Sequence, residues 1–190
     1  MAGREDAERV HPESATEWRA WLAANHGRVD GVWLVFWRRT SGRPVLSYDD
    51  AVLEAVAYGW IDSTARSLDS ERSMMWFAPR RPSSAWSRSN KDRLAILERE
   101  ARLHPAGRRA VEVAKVNGMW SVLDDADRGV MPPDLVSAIA AAGEPAEAGW
   151  RALAPGAQRA ALRSIALAKR PDTRARRIAE TVTSLTVDPD

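Results

Sequence analysis

The chain has 190 residues, a nearly balanced charge (28 Lys and Arg against 26 Asp and Glu, formal net +2) and no cysteine. A core of ordinary size needs no disulfide support here, and the missing thiols exclude cysteine nucleophiles, cysteine-based zinc sites and iron–sulfur clusters. The polar start MAGREDAERVHPES lacks the apolar stretch of a secretory signal, and no run approaches the roughly 18 apolar residues of a spanning helix, so the expectation is a soluble, cytoplasmic protein.

The first predicted element is a helix in SATEWRAWLAANH. Ser14 with Glu17 three residues later has the spacing of a capping box, and Trp18, Trp21, Leu22 and Asn25 share one face. Gly27, Asp30 and Gly31 break it. GVWLVFWRR reads as a strand with two apolar faces, Trp33, Val35 and Trp37 on one and Val32, Leu34 and Phe36 on the other, which places it centrally in a sheet. The turn Ser41–Pro44 ends it.

Ser47 caps a second helix, SYDDAVLEAVAYG, with Asp49 and Asp50 at its positive end and Gly59 as its stop. WIDSTARSL and MMWFAPR read as two strands joined in a hairpin around Asp69-Ser70-Glu71, with Pro79 and Pro82 forcing an exit from the sheet. A helical region runs from about Ser84 to Leu103, breaks at His104-Pro105 and resumes through Asn117. Beyond Trp120 an acidic segment leads into helices started by Pro132-Pro133, Pro155-Gly156 and Pro171. Apolar stripes there run through Ala160, Ala161, Ile165 and Ala168, then Ile178, Val182 and Leu185. The fold class is therefore α+β: a small, three-stranded, mainly antiparallel sheet packed by helices over residues 10–120, an acidic linker at 121–132, and a helical C-terminal module at 133–187.

His11, His26 and His104 lie far apart in the sequence and in different contexts, so no metal site is expected. The nucleotide-binding glycine motifs and G-x-S-x-G are absent, and no cofactor is implied. The remaining candidate site is the Trp- and Arg-rich stretch Gly59–Asn90. In a regular strand Trp60, Asp62, Thr64 and Arg66 share one face. A carboxylate beside a Trp in a sheet needs a partner, which Arg66 or the Arg80-Arg81 pair can supply. It can serve as a structural ion pair, as a polar anchor, or as a general acid/base in a Trp-walled cavity, with Lys115 as electrostatic support if the chain is an enzyme.

Around Pro79–Pro82, Arg80, Arg81 and Arg88 lie near a helix start, and Trp86 and Asn90 are four residues apart. That arrangement suits an anion, or equally a rigid loop stapled to the sheet. Trp60, Asp62, Arg66, Arg80, Arg81, Trp86 and Asn90 are thus the candidate ligand-binding residues, for a small anionic or aromatic ligand or a peptide. Lys169, Arg170, Arg174, Arg176 and Arg177 form a basic tail that raises nucleic acid as a further partner, although the aromatic interleaving of single-strand platforms is missing there. The preference for Arg over Lys, with frequent Ala, suggests a bacterial source.

The runs LSYDDAVLEAVAYGWIDSTARSLDSER, FAPRRPSSAWSRSN and AGRRAVEVAKVNGMW, with the tail MPPDLVSAIAAAG and ALRSIALAKRPDTRARRIAETVTSL, resemble the YdeI/OmpD-associated, or bacteriocin-protection, family from about Trp18 to Leu185. The resemblance implies a role in tolerance of bacteriocins, antimicrobial peptides or envelope stress and carries no catalytic residues. It supports a ligand- or partner-binding protein, with a cofactor-independent enzyme acting through Asp62, or a nucleic-acid binder, as alternatives.

Overall fold

The structure, a computed structural model, describes residues 6–43 and 45–186. They divide into one unit of residues 6–84 and 89–117 and a second of residues 85–88 and 118–186. Pro44 of the expected turn and residue 187 at the end of the expected helical module lie outside the described residues.

In the first unit the chain runs through β1 (Arg9–Val10), α1 (Ala15–Asn25), β2 (Val32–Trp37), a short 3-10 turn at Arg39–Ser41, α2 (Tyr48–Ala57), β3 (Trp60–Ser67) and β4 (Arg72–Pro79). It continues through α3 (Arg88–Arg99), whose first residue belongs to the second unit, and α4 (Pro105–Val116). Both expected caps form. Ser14 Oγ accepts the Glu17 N–H at 3.2 Å, while Glu17 reaches back to the Glu13 N–H at 3.0 Å. Ser47 Oγ accepts the Asp50 N–H at 3.0 Å. Gly59 follows α2 with φ +76°, a conformation that L side chains resist.

The sheet has four strands in the order β1-β2-β4-β3 and is mixed, which corrects the expected three mainly antiparallel strands. The added strand is β1, which pairs parallel to β2 through Arg9–Trp33 and Val10–Leu34. Two residues are too few to leave any alternation in a sequence. β2 is central as expected, and β3 and β4 form the expected antiparallel hairpin. Its turn is tied by Asp69 Oδ1, which accepts the Glu71 and Arg72 N–H groups at 3.0 and 2.7 Å. Pro79 stays within β4, opposite Trp60, so the strand leaves the sheet one residue later than the prolines suggest.

Residues opposite one another share a face, so Val32, Leu34 and Phe36 of β2 lie with Phe77, Met75 and Ser73 of β4. This face meets the helices: Trp18 packs edge-on against Phe77 at 5.6 Å and Trp21 against Trp60 at 5.7 Å, and the Trp18 indole N–H donates to the Ala51 carbonyl at 3.0 Å. The other face holds a second cluster of Trp33, Val35, Met74 and Trp76, with Ala7, Leu68 and Ala78 against it.

α2 buries Ala51, Val52, Ala55, Val56 and Ala57 together with a carboxylate, Glu54, which is 2% exposed. Arg19 of α1 grips both Glu54 oxygens at 2.8 and 2.6 Å, and Arg102 bonds one of them as well. A buried carboxylate held by two guanidiniums replaces its lost water. α2 also passes close to α4, where a Cβ on Gly107 would run into the Ala57 carbonyl oxygen.

The second unit is helical, as expected: α5 (Asp124–Arg128), α6 (Pro133–Ala142), α7 (Glu144–Ala152), α8 (Pro155–Ala166) and α9 (Pro171–Thr186). Proline opens α6, α8 and α9, where a missing N–H goes unneeded. α7 leaves no apolar stripe to read, since it buries Ala146 alone. The acidic segment folds as α5 and contributes Asp127, whose side chain is 4% exposed and accepts from Arg163 Nε and from the Arg88 N–H, each at 2.6 Å. Leu135, Ile139, Leu162, Ile165, Ile178 and Leu185 form the core.

Candidate functional site

The strand β3 does not keep regular alternation. Asp62 pairs with Phe77 and Ala65 with Met75, so three steps on β3 span two on β4. This bulge moves everything after it to the opposite face. Asp62 therefore remains on the helix-covered face, while Arg66 lies across from Met74 and over the Trp33 ring, its guanidinium 5.2 Å from the centroid. The Asp62–Arg66 pair expected from strict alternation is not made.

Asp62, half-buried, instead accepts a hydrogen bond from Tyr48 Oη at 2.8 Å. Burial, reinforced by this bond and by the Asp62 charge, pushes the Tyr48 hydroxyl up to about 12, so it stays protonated and acts as a donor. The Asp62 charge acts on Arg80. Burial brings its guanidinium down to about 10, and the carboxylate opposes that shift. Arg93 leans over the Tyr48 ring at 6.0 Å and pairs with Asp49.

The other expected site residues disperse. Trp60 is fully buried, with its indole N–H donating to the His26 carbonyl at 3.3 Å. Arg81 is exposed, Asn90 is half-buried on α3, and Lys115 is exposed on the last turn of α4. Trp86 precedes α3 rather than sitting on it, so the four-residue spacing to Asn90 does not put the two on one helical face. It belongs to the second unit, where its N–H donates to the Met119 carbonyl at 3.0 Å and its ring lies 5.5 Å from Trp120. Ser84 accepts from the Arg81 N–H in a tight turn.

Two of the histidines that are remote in sequence meet in space. The His26 and His104 rings lie 4.5 Å apart, and Tyr58 stacks on His104 at 4.8 Å. His104 Nδ1 accepts the Ala106 N–H at 3.2 Å as the cap of α4, which requires that nitrogen unprotonated. Burial, then the neighbouring His26 and Arg109, hold its pKa below 6.5. Among the described residues no group of three or more His, Asp or Glu side chains is placed to hold a metal ion.

The concave feature beside Tyr48 is a cleft of about 400 Å³ in the first unit. Phe36, Trp37, Leu46, Ala65, Met74 and Met75 supply most of its walls, Tyr48 and Ser47 line one side, and Arg39 lines it as well. The sequence signal for it was weak, because its residues come from β2, β3, β4 and the connection before α2, and none of them repeats at a fixed spacing. In the second unit a more open, apolar groove lies along α6 and α9, lined by Ala138, Arg174, Ala175, Ile178 and Val182 among others.

The basic tail is largely bound up within its own unit. Arg174 holds Asp134 through two bonds of 2.6 and 2.9 Å, which raises the Arg174 pKa and lowers that of Asp134. Arg176 lies 3.7 Å from Glu180, and Arg177 bonds the Ser164 carbonyl.

A four-stranded α+β unit with an apolar cleft is followed in the chain by a helical unit. Residues 10–110 match the family described as a domain of unknown function (DUF8412), more than half of the chain, and the chain belongs to that family. Residues 129–186 match the family described as bacteriocin-protection, YdeI or OmpD-associated. The resemblance drawn from Trp18 to Leu185 is thus matched in the helical C-terminal part, and the sheet-containing part answers to a different family description. No curated protein and no solved structure matches the chain.

Proposed function

We propose that the chain is a ligand-binding protein of bacterial tolerance to bacteriocins or related stress, acting in the cytoplasm, with its ligand seated in the cleft beside Tyr48. The observation that carries this reading is the cleft itself: about 400 Å³ walled by aromatic, methionine and leucine side chains, with a few polar groups at its edge. Ligand sites combine just these features, a large apolar area with a small number of oriented polar atoms. The match of residues 129–186 to the bacteriocin-protection description supports the physiological setting. No helix among the described residues is long and apolar enough to cross a membrane.

Tyr48 lines one side of the cleft, and its bond to Asp62 fixes its hydroxyl as a donor.

Ala65 lines the cleft and is exposed, so Ala65→Trp fills the cleft from the edge strand without entering the core. In a bacterial strain lacking the gene, the native chain is expected to restore tolerance to added bacteriocin and Ala65→Trp, produced at the same level, is not. Equal rescue by both would remove the cleft from the function. A deletion with unchanged bacteriocin sensitivity would remove the tolerance role.

A further inference from the structure

The charged lining of the cleft is one-sided. Among its lining residues Arg39 is the one charged group; the rest are apolar or neutral. Of the arginines near it, Arg72 pairs with Asp69, Arg93 with Asp49, and Arg43 lies over the Trp37 ring at 4.6 Å. Arg39 has no carboxylate partner among the described residues. The nearby acids are engaged elsewhere: Asp62 accepts from Tyr48, and Glu13 accepts from the Trp37 indole N–H at 3.3 Å.

An unpaired guanidinium at the mouth of an apolar cleft selects a ligand with an apolar body and one anionic end, because the planar fork matches a carboxylate and Coulomb attraction is stronger near low-dielectric walls. The walls also favour an aromatic body. Phe36 offers a ring contact, and the thioether of Met75, on the same face of the sheet, is a good partner for a ring edge. At about 30 Å³ per water-sized group, the cleft has room for about a dozen heavy atoms.

We propose that the ligand of this cleft is an arylalkyl carboxylate, its ring against Phe36 and Met75 and its carboxylate on Arg39. This rests on the reading of the cleft as the binding site and adds the chemistry of what enters it.

The probes are 4-phenylbutyrate and its neutral counterpart 4-phenylbutanol, titrated calorimetrically into the full chain and into the Arg39→Gln and Ala65→Trp variants. The carboxylate is expected to bind the native chain roughly tenfold more tightly than the alcohol, the size of one charge-assisted contact at a partly wet site. Arg39→Gln is expected to bring the two to equal affinity, and Ala65→Trp to abolish both. Equal affinities in the native chain, or a preference for the carboxylate that survives Arg39→Gln, with Ala65→Trp still abolishing binding, overturn the anion inference and leave the cleft standing as the site. Binding untouched by Ala65→Trp, or no binding of either probe, overturns the cleft reading and this inference with it.

Discussion

Asp62 and Glu54 show how differently two carboxylates can be treated a few residues apart. The sequence draws attention to Asp62, set beside Trp60 in a strand, yet it is half-buried and served by one tyrosine hydroxyl. Glu54, an ordinary-looking residue in an Ala- and Val-rich helix, is the fully buried one, and it requires Arg19 and Arg102 from distant parts of the chain. Nothing local announces such a pairing, because its two arginines lie 35 and 48 residues away. His104 carries the residue-scale consequence for solution behaviour. Its folded-state pKa lies below the 6.5 of the unfolded chain, so the unfolded state takes up the proton first as the pH falls. Stability present above 6.5 is therefore lost progressively below it, and His11, depressed by burial and by Arg72 against the opposing Glu13, adds in the same direction. Urea midpoints are expected to fall between about pH 7.5 and about pH 5.5, and to fall less in His104→Ser, whose hydroxyl can still accept the Ala106 N–H as a cap. An unchanged pH dependence in that variant would shift the effect to His11.

At the scale of elements, α2 and α4 approach at Gly107, which an isolated helix would gladly exchange for alanine. Propensity alone favours Gly107→Ala by about 1 kcal/mol in a helix interior. Here the new Cβ would collide with the Ala57 carbonyl oxygen and crowd Leu103, so the substitution is expected to destabilise by about 2 kcal/mol net, read as a lower urea midpoint. A rise in the midpoint would mean that the two helices part easily. Most elements were legible in the sequence because each carries its own signal: the Ser14 and Ser47 caps, the two-faced apolar strand from Val32 to Trp37, the Asp69 turn, and the prolines that open α6, α8 and α9. β1 escaped because two residues have no period, and α7 because it buries one alanine. The site was less legible than the fold for a single physical reason. A bulge is a decision made between two strands, and the alternation of one strand cannot reveal it, so Arg66 was assigned to the wrong side of the sheet.

At the scale of the whole molecule, the four residues 85–88 lie between two stretches of the first unit but are counted with the second. Trp86, buried there, bonds Met119 and packs on Trp120, and the Arg88 N–H shares Asp127 with Arg163. A chain ending at Asn117 would retain Trp86 without these partners. It is expected to show red-shifted tryptophan emission, to bind an apolar dye that the full chain ignores, and to aggregate at lower temperature. Full-chain emission and clean solubility in the shortened chain would show that Trp86 does not need Met119 and Trp120 to stay out of water. The two family matches, 10–110 and 129–186, suggest a history in which two modules were joined end to end. Residues 85–88 argue that the joint has since become a graft. A recombination event at the apparent seam would fall between Trp86 and the Met119 and Trp120 it packs on, and between the Arg88 N–H and Asp127, so these contacts would have to be matched across it.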